Sequence, residues 1–251
     1  MKNFIRLAAW VMLLPLALPV YAQTTDTIRL ANKDLVTANL KPGVYQYIVY
    51  YTHPKKNLIA GLSLWRREVK FKTDHGKDLI EIKQNWNTND TLFNRYVYSL
   101  ANRKTFAPIY HYTRDKNGID AFNFTTAAIT GADSIANNNR KDFRVAQAVP
   151  TLNWELDLEV FNTLPFKKVG QQFAINFYHP GGKTEPKYYV YKVIGTDMLN
   201  MPEGRKVDCW KLKIEYAENS WAVFWIDRKS KEVLKMEEFF RGMYRYKVRV
   251  I

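Results

Sequence analysis

The chain has 251 residues, 38 basic against 24 acidic, a formal net charge of +14 and an aromatic share of 15%. Its 47% hydrophobic content excludes a disordered polyelectrolyte, and the length suits one elaborated domain or two small ones. The single cysteine, Cys209, excludes an intrachain disulfide, so stability has to come from core packing.

At the N-terminus, Lys2 and Arg6 precede a nearly all-apolar run over residues 7–18, which Pro19 ends. Val20 and Ala22 then occupy small-residue positions read by signal peptidase. The sequence therefore predicts a signal peptide over residues 1–22, cut before Gln23. The run falls short of the roughly 17–25 residues of a bilayer span. A retained anchor is the alternative reading. Removal of residues 1–22 takes away Lys2 and Arg6 and no acid, so the net charge becomes +12. No cysteine follows the cut, where a lipoprotein would carry its acyl group. The expected product is a periplasmic or otherwise exported protein, soluble or peripheral, with no transmembrane anchor after cleavage. Its charge suits contact with anionic lipid headgroups or acidic glycans, and nucleic acid is not an expected partner.

From residue 44 onward the dominant signal has period two, which belongs to strands with differently solvated faces. Strands are predicted over 44–52, 62–72, 79–86, 92–100, 106–114 and 119–125. Asp74-His75-Gly76-Lys77 and Asp115-Lys116-Asn117-Gly118 read as tight turns, with Asn117 and Gly118 suited to positive φ. Further strands are expected over 173–178 and 187–194, around the His179-Pro180-Gly181-Gly182 turn. In the C-terminal part, Trp210, Leu212, Ile214 and Tyr216 alternate with Lys211, Lys213 and Glu215. Residues 221–227 are apolar on both faces and read as a central strand. A strand over 232–240 follows. Then Tyr244, Tyr246, Val248 and Val250 alternate with Arg245, Lys247 and Arg249. Short turns make antiparallel pairing of sequential strands the default.

The pattern breaks between 131 and 166. Trp154, Leu158 and Phe161 stand at helical spacing, widened by Leu156 and Val160, with Asp157 off the stripe and Pro165 after it. A short amphipathic helix is predicted, though the alternation over 156–160 also permits a strand. The segment could join two halves of a sheet or lie across a concave face. The fold expected is mainly β: a strongly curved antiparallel sheet or open β-barrel with a short covering helix. It forms one β-rich domain over 23–251, with two halves joined near 131–166 left open.

Sequence motifs supply no chemistry. His53, His75, His111 and His179 show no metal-ligand spacing. No GxSxG elbow or glycine-rich phosphate loop is present. A carboxylate pair assembled from distant strands, as in a glycan-cleaving enzyme, cannot be read from spacing. No catalytic residue, metal ligand or cofactor is assigned, and the reading favours a non-enzymatic protein. The aromatic excess points to a broad core or a ligand groove. Trp65, Trp86, Trp154 and Trp225 are the candidate lining residues for a hydrophobic or amphipathic ligand. Arg245, Lys247 and Arg249 are candidates for anionic-surface contact. A structural or interaction module for a protein or glycan partner is one alternative, and a glycan-active enzyme is the other.

The run Asn153-Trp154-Glu155-Leu156-Asp157-Leu158-Glu159-Val160-Phe161-Asn162-Thr163-Leu164-Pro165-Phe166, then Val169-Gly170-Gln171, resembles the central part of the DUF3108 family. The order continues through residues 189–195, Pro202-Glu203-Gly204, Cys209-Trp210-Lys211-Leu212 and Phe224-Trp225-Ile226-Asp227. The resemblance covers residues 40–251 and carries no catalytic signature. The family in turn is similar to the LolA/LolB-type envelope lipoprotein carriers, whose curved sheets wrap a hydrophobic cavity closed by helices. That likeness implies an open barrel and a lipid, a lipoprotein or another envelope component as partner. The chain departs from the receptor type in lacking a lipidated cysteine.

Overall fold

The computed structural model describes residues 25–55, 58–201 and 204–250. The predicted signal peptide lies outside these residues, as do Lys56, Asn57, Pro202 and Glu203.

The first part of the chain supplies strands β1 (Thr25–Ile28), β2 (Gly43–Thr52), β3 (Ile59–Asp74), β4 (Lys77–Thr88) and β5 (Arg95–Asn102). It continues through β6 (Pro108–Asp115), β7 (Gly118–Phe124), β8 (Ala128–Gly131), β9 (Arg144–Ala146) and β10 (Leu152–Asn153). A 3-10 turn over Trp154–Leu156 leads into the helix α1 (Asp157–Asn162). Then come β11 (Gln172–Tyr178), β12 (Lys187–Asn200), β13 (Lys206–Ala217), β14 (Ser220–Asp227), β15 (Val233–Phe240) and β16 (Met243–Arg249).

All sixteen strands belong to one sheet. Strands β2 to β9 form one antiparallel meander, and β11 to β16 form a second. The C-terminal strand β16 pairs antiparallel with β2, from Tyr244↔Thr52 to Arg249↔Tyr47, and this seam joins the meanders. At one end, β1 and β10 both pair parallel with β11; at the other end lies β9. The sheet is therefore curved but not closed by hydrogen bonds, as an open barrel requires. The expected mainly β class with one short helix holds.

Local chemistry sets the turns. Asp74 pairs with Lys77, leaving His75 and Gly76 as a two-residue loop with φ of 45° and 73°. Two positive φ values match the strand twist of a tight hairpin, which is why glycine stands there. The Asp115–Gly118 turn meets only half its expectation: Gly118 has positive φ (111°), whereas Asn117 is not among the positive-φ residues. At Gly131 a Cβ would lie 1.8 Å from the Arg140 carbonyl oxygen. The loop crossing β8 there can approach only a residue without a side chain.

The linking segment both joins the two meanders and lies across the concave face. Asn153 caps it, accepting from the Glu155 amide at 3.0 Å. All six residues of α1 are buried, the acids Asp157 and Glu159 included. Leu156, Leu158, Val160 and Phe161 join Val49, Val69, Ile82, Ile175, Leu212 and Phe224 in one core drawn from both meanders. The helix is thus a plug inside the sheet, and its polar flank also needs partners. The strand alternative for 156–160 does not form. The short strands β1, β8, β9 and β10 were not anticipated, because segments of two to four residues show too little alternation to read.

Candidate functional site

A partly open cavity of about 540 Å³ lies between α1 and the inner face of the sheet. Its aromatic wall includes Trp65, Trp86, Trp154, Tyr189, Tyr216 and Phe224. Trp65 on β3 and Trp86 on β4 are directly opposed in register. Their rings stack at 3.9 Å with an interplanar angle of 4°. Cations cover the two ends of this stack. Lys247 Nζ sits 4.7 Å from the Trp65 ring, and the Arg95 guanidinium sits 4.7 Å from the Trp86 ring. Trp154 stacks on His179 at 4.9 Å and meets Tyr189 edge-on at 4.3 Å.

The acids of the helical segment meet bases from three strands. Arg67 on β3 is 1% exposed and forms a bidentate pair with Glu159, its Nε donating to Oε1 at 2.8 Å and its second nitrogen to Oε2. It also donates to Gln84 Oε1 at 2.8 Å and to the Glu155 carbonyl at 3.1 Å. Arg95 on β5 grips Glu155 through contacts of 3.1 and 3.2 Å. Burial pushes the Glu155 carboxyl up, but Arg95, His111 and His179 together hold the group below its usual range. On β16, Arg245 pairs with Glu238 at 2.7 Å, while Lys247 Nζ stays 3.9 Å from Asp157 Oδ2. Burial lowers the Lys247 ammonium to about 8 despite Asp157.

Three of the four candidate tryptophans, Trp65, Trp86 and Trp154, line this cavity. Trp225 does not. It packs on the outer face of β14 with Cys209, Val223 and Leu234, and its Nε1 donates to Asp197 Oδ2 at 2.8 Å. Phe224 is the inward residue of that strand. Because β14 is apolar on both faces, alternation cannot say which face is inner. The basic row on β16 is a correction as well. Arg245 and Lys247 point into the cavity, and Arg249 pairs with Glu232 and covers Tyr45 at 4.8 Å. They form no surface patch. Tyr244, Tyr246 and Val248 take the outer face instead, because the acids on α1, β15 and the loop before it draw the cations inward. The sequence assigns no site role to Glu155, Asp157, Glu159 or Glu238, since neither the Asp157/Glu159 nor the Glu237/Glu238 spacing specifies one. The only available hint was three acids within a segment that the core has to bury.

His111 lies deeper, 2% exposed. Its Nδ1 accepts from Asn153 Nδ2 and Ser99 Oγ, both at 2.9 Å. The Asn153 orientation is fixed independently, since its Oδ1 caps the helical segment. Burial holds the imidazole down to about 4, so it is neutral and structural. Burial likewise pushes the Cys209 thiol up to about 12, far from a nucleophile's range. Among the described residues, no group of three or more His, Cys, Asp or Glu could hold a metal ion. No described helix is long and apolar enough to cross a membrane.

Together, the curved open sheet and plugged interior place the chain among β-barrel-like proteins. Residues 46–249 match DUF3108, a family described as a protein of unknown function, and the chain belongs to it. Among solved structures it is similar to a β-barrel-like protein of the DUF1849 domain from Brucella abortus, at 9% identity and a TM-score of 0.46. That match covers 84% of this chain and 96% of the other. A protein with a YmcC-like fold from Bacteroides fragilis matches at 11% identity and a TM-score of 0.35, covering 84% and 95%. The likeness to lipoprotein carriers stays an expectation. No curated protein matches the sequence.

Proposed function

We propose that the protein is an exported, non-enzymatic carrier or sensor of a small amphipathic ligand, held between α1 and the inner face of the sheet. The Trp65–Trp86 stack carries this reading. It stands where the packed core, which includes Trp65, meets a cavity of about 540 Å³. That volume is within the roughly 300–1,000 Å³ of small-molecule sites. The cavity-side edges of the stack and the rings of Trp154, Tyr189 and Tyr216 offer apolar area, and the paired charges around them offer dipoles for a polar end. The N-terminal sequence features support export. A glycan-cleaving role draws no support from the cavity carboxylates. Glu155 and Glu238 are engaged by Arg95 and Arg245, and Glu155 is held low where a general acid needs a raised value.

Organic extraction of the protein purified from the cell envelope, followed by mass spectrometry, should release a stoichiometric amphiphile. An environment-sensitive apolar dye should bind the extracted protein, and Trp86→Ala should weaken that binding. No released amphiphile together with no dye uptake would sink the reading.

One observation favours a second reading as an interaction module. On the outer face, Tyr50 and Tyr246 stack at 4.9 Å beside Leu62 and Leu64, which are 50% and 39% exposed. Crosslinking in cells should then join this face to a protein or polysaccharide.

A further inference from the structure

Lys247 differs from the other cations around the cavity. Arg67 and Arg245 are each held by a carboxylate at hydrogen-bond distance. Lys187, at the mouth, is exposed to water and lies over Tyr189. Lys247 has neither arrangement. Its side chain is 6% exposed, and among the described residues its carboxylate neighbour is Asp157 Oδ2 at 3.9 Å. That is too long for a hydrogen bond. Its other contact is the Trp65 face. An ammonium with three donors on a largely buried side chain therefore faces the cavity with no hydrogen-bonding acceptor among the described residues. Such a group is costly unless something completes it.

Asp157 cannot readily close the gap. Its Oδ1 already accepts from the Leu158 amide at 2.8 Å, which ties the carboxylate to the start of α1. The missing acceptor therefore has to come from the cavity side.

We propose that Lys247 is the anchor for the acid group of the cavity's ligand, a monocarboxylate whose apolar part lies along the cavity-side edge of the Trp65–Trp86 stack and the rings of Trp154, Tyr189 and Tyr216. This rests on the cavity being a ligand site and names the class of ligand. Two features select a carboxylate over a phosphate. The guanidinium forks of Arg67 and Arg245 are already engaged by Glu159 and Glu238, so no bidentate phosphate clamp is free. The Asp157 charge beside Lys247 also opposes a dianion. The volume of about 540 Å³ admits one chain or a small ring system.

Binding is linked to protons. Lys247 is faced by Asp157 from α1, Glu238 from β15, Arg67 from β3 and Arg245 from its own strand. Without ligand it loses its proton near pH 8. A bound carboxylate raises that value, so binding above pH 8 takes up a proton. Affinity for the acid then falls as pH rises, by about tenfold per unit at the steepest.

The test is calorimetry of the extracted full-length processed protein with decanoate, 1-decanol and decyl phosphate, from pH 6.5 to 9.5. We expect decanoate to bind about tenfold or more tightly than decanol at pH 7. The gap should close at high pH, with proton uptake seen in buffers of different ionisation enthalpy. Lys247→Met should equalise acid and alcohol, and Lys247→Arg should keep the preference. The wild-type ratio stands even if a variant fails to fold. Equal binding of acid and alcohol by the wild type would overturn this inference and leave the ligand site intact. Tighter binding of decyl phosphate would overturn the carboxylate assignment. Binding of none of the three would overturn this inference together with the proposed function.

Discussion

The two flanks of α1 are buried by opposite chemistry. Toward β11, β12 and β14, Phe161 meets Phe177, Tyr191 and Phe224 with ring centroids 6.3, 5.0 and 4.7 Å away. Toward β3, β5 and β16, Glu159, Glu155 and Asp157 meet Arg67, Arg95 and Lys247. The first flank fills by shape, and any apolar side chain of similar volume serves. The second depends on charge and direction: Arg67 and Arg95 meet their carboxylates at hydrogen-bond distance, while Lys247 stays 3.9 Å from Asp157. It is also where packing stops short and the cavity remains. Ionic side chains with fixed geometry cannot collapse into a void as aliphatic ones do.

The comparison breaks most sharply at Arg67. Arg67→Met should cost roughly 3–5 kcal/mol in denaturant unfolding, because Glu159 is left charged and unpaired in the interior. Adding Glu159→Leu should recover most of that loss. If the single and double variants were equally unstable, the pair would matter by shape and the contrast between flanks would fail.

Acid should act next. His111 has a folded value of about 4, below its unfolded value near 6.5, so the unfolded chain binds more protons between these limits. Stability should therefore fall as pH drops from 6.5 to 4, by roughly 3 kcal/mol from this group. His111→Gln should flatten that part of the profile. Glu155, held below its usual range by Arg95, His111 and His179, works in a lower window: its contribution is present above the unfolded carboxylate value and is lost as pH falls through the folded one.

On the apolar flank, Phe161→Met should cost no more than about 1.5 kcal/mol, as an apolar exchange that keeps most of the volume. A loss as large as that of Arg67→Met would show that this flank is equally specific. The smallest effect is expected outside the plug. Lys213 pairs with a largely exposed Glu215, and Lys213→Ala should leave the denaturation midpoint unchanged.

The legibility of the sequence follows the same division. Strands β2 to β7 and β11 to β16 are readable because each is long enough for alternation to repeat, and the apolar spacing of Trp154, Leu158 and Phe161 marks the helical segment. Trp65, Trp86 and Trp154 stand on the cavity side. Trp225 does not, and its strand is apolar on both sides, so alternation cannot tell. The basic row of β16 shows the deeper limit. Alternation separates Arg245, Lys247 and Arg249 from Tyr244, Tyr246 and Val248, but it assigns the charged set outward by default. Their acid partners sit far away along the chain, and no local pattern connects Lys247 to Asp157.

By itself, then, the sequence determined antiparallel strands over residues 44–125 and 173–250 with a short insert between them, helical by preference, because period and turn chemistry act over a few neighbouring residues. Which face of each strand is inside was decided only by the tertiary structure. The plug carries acids into the interior, and the free energy of pairing buried charges turns the bases of β3, β5 and β16 inward to meet them. The open space beside Lys247 is a product of that arrangement.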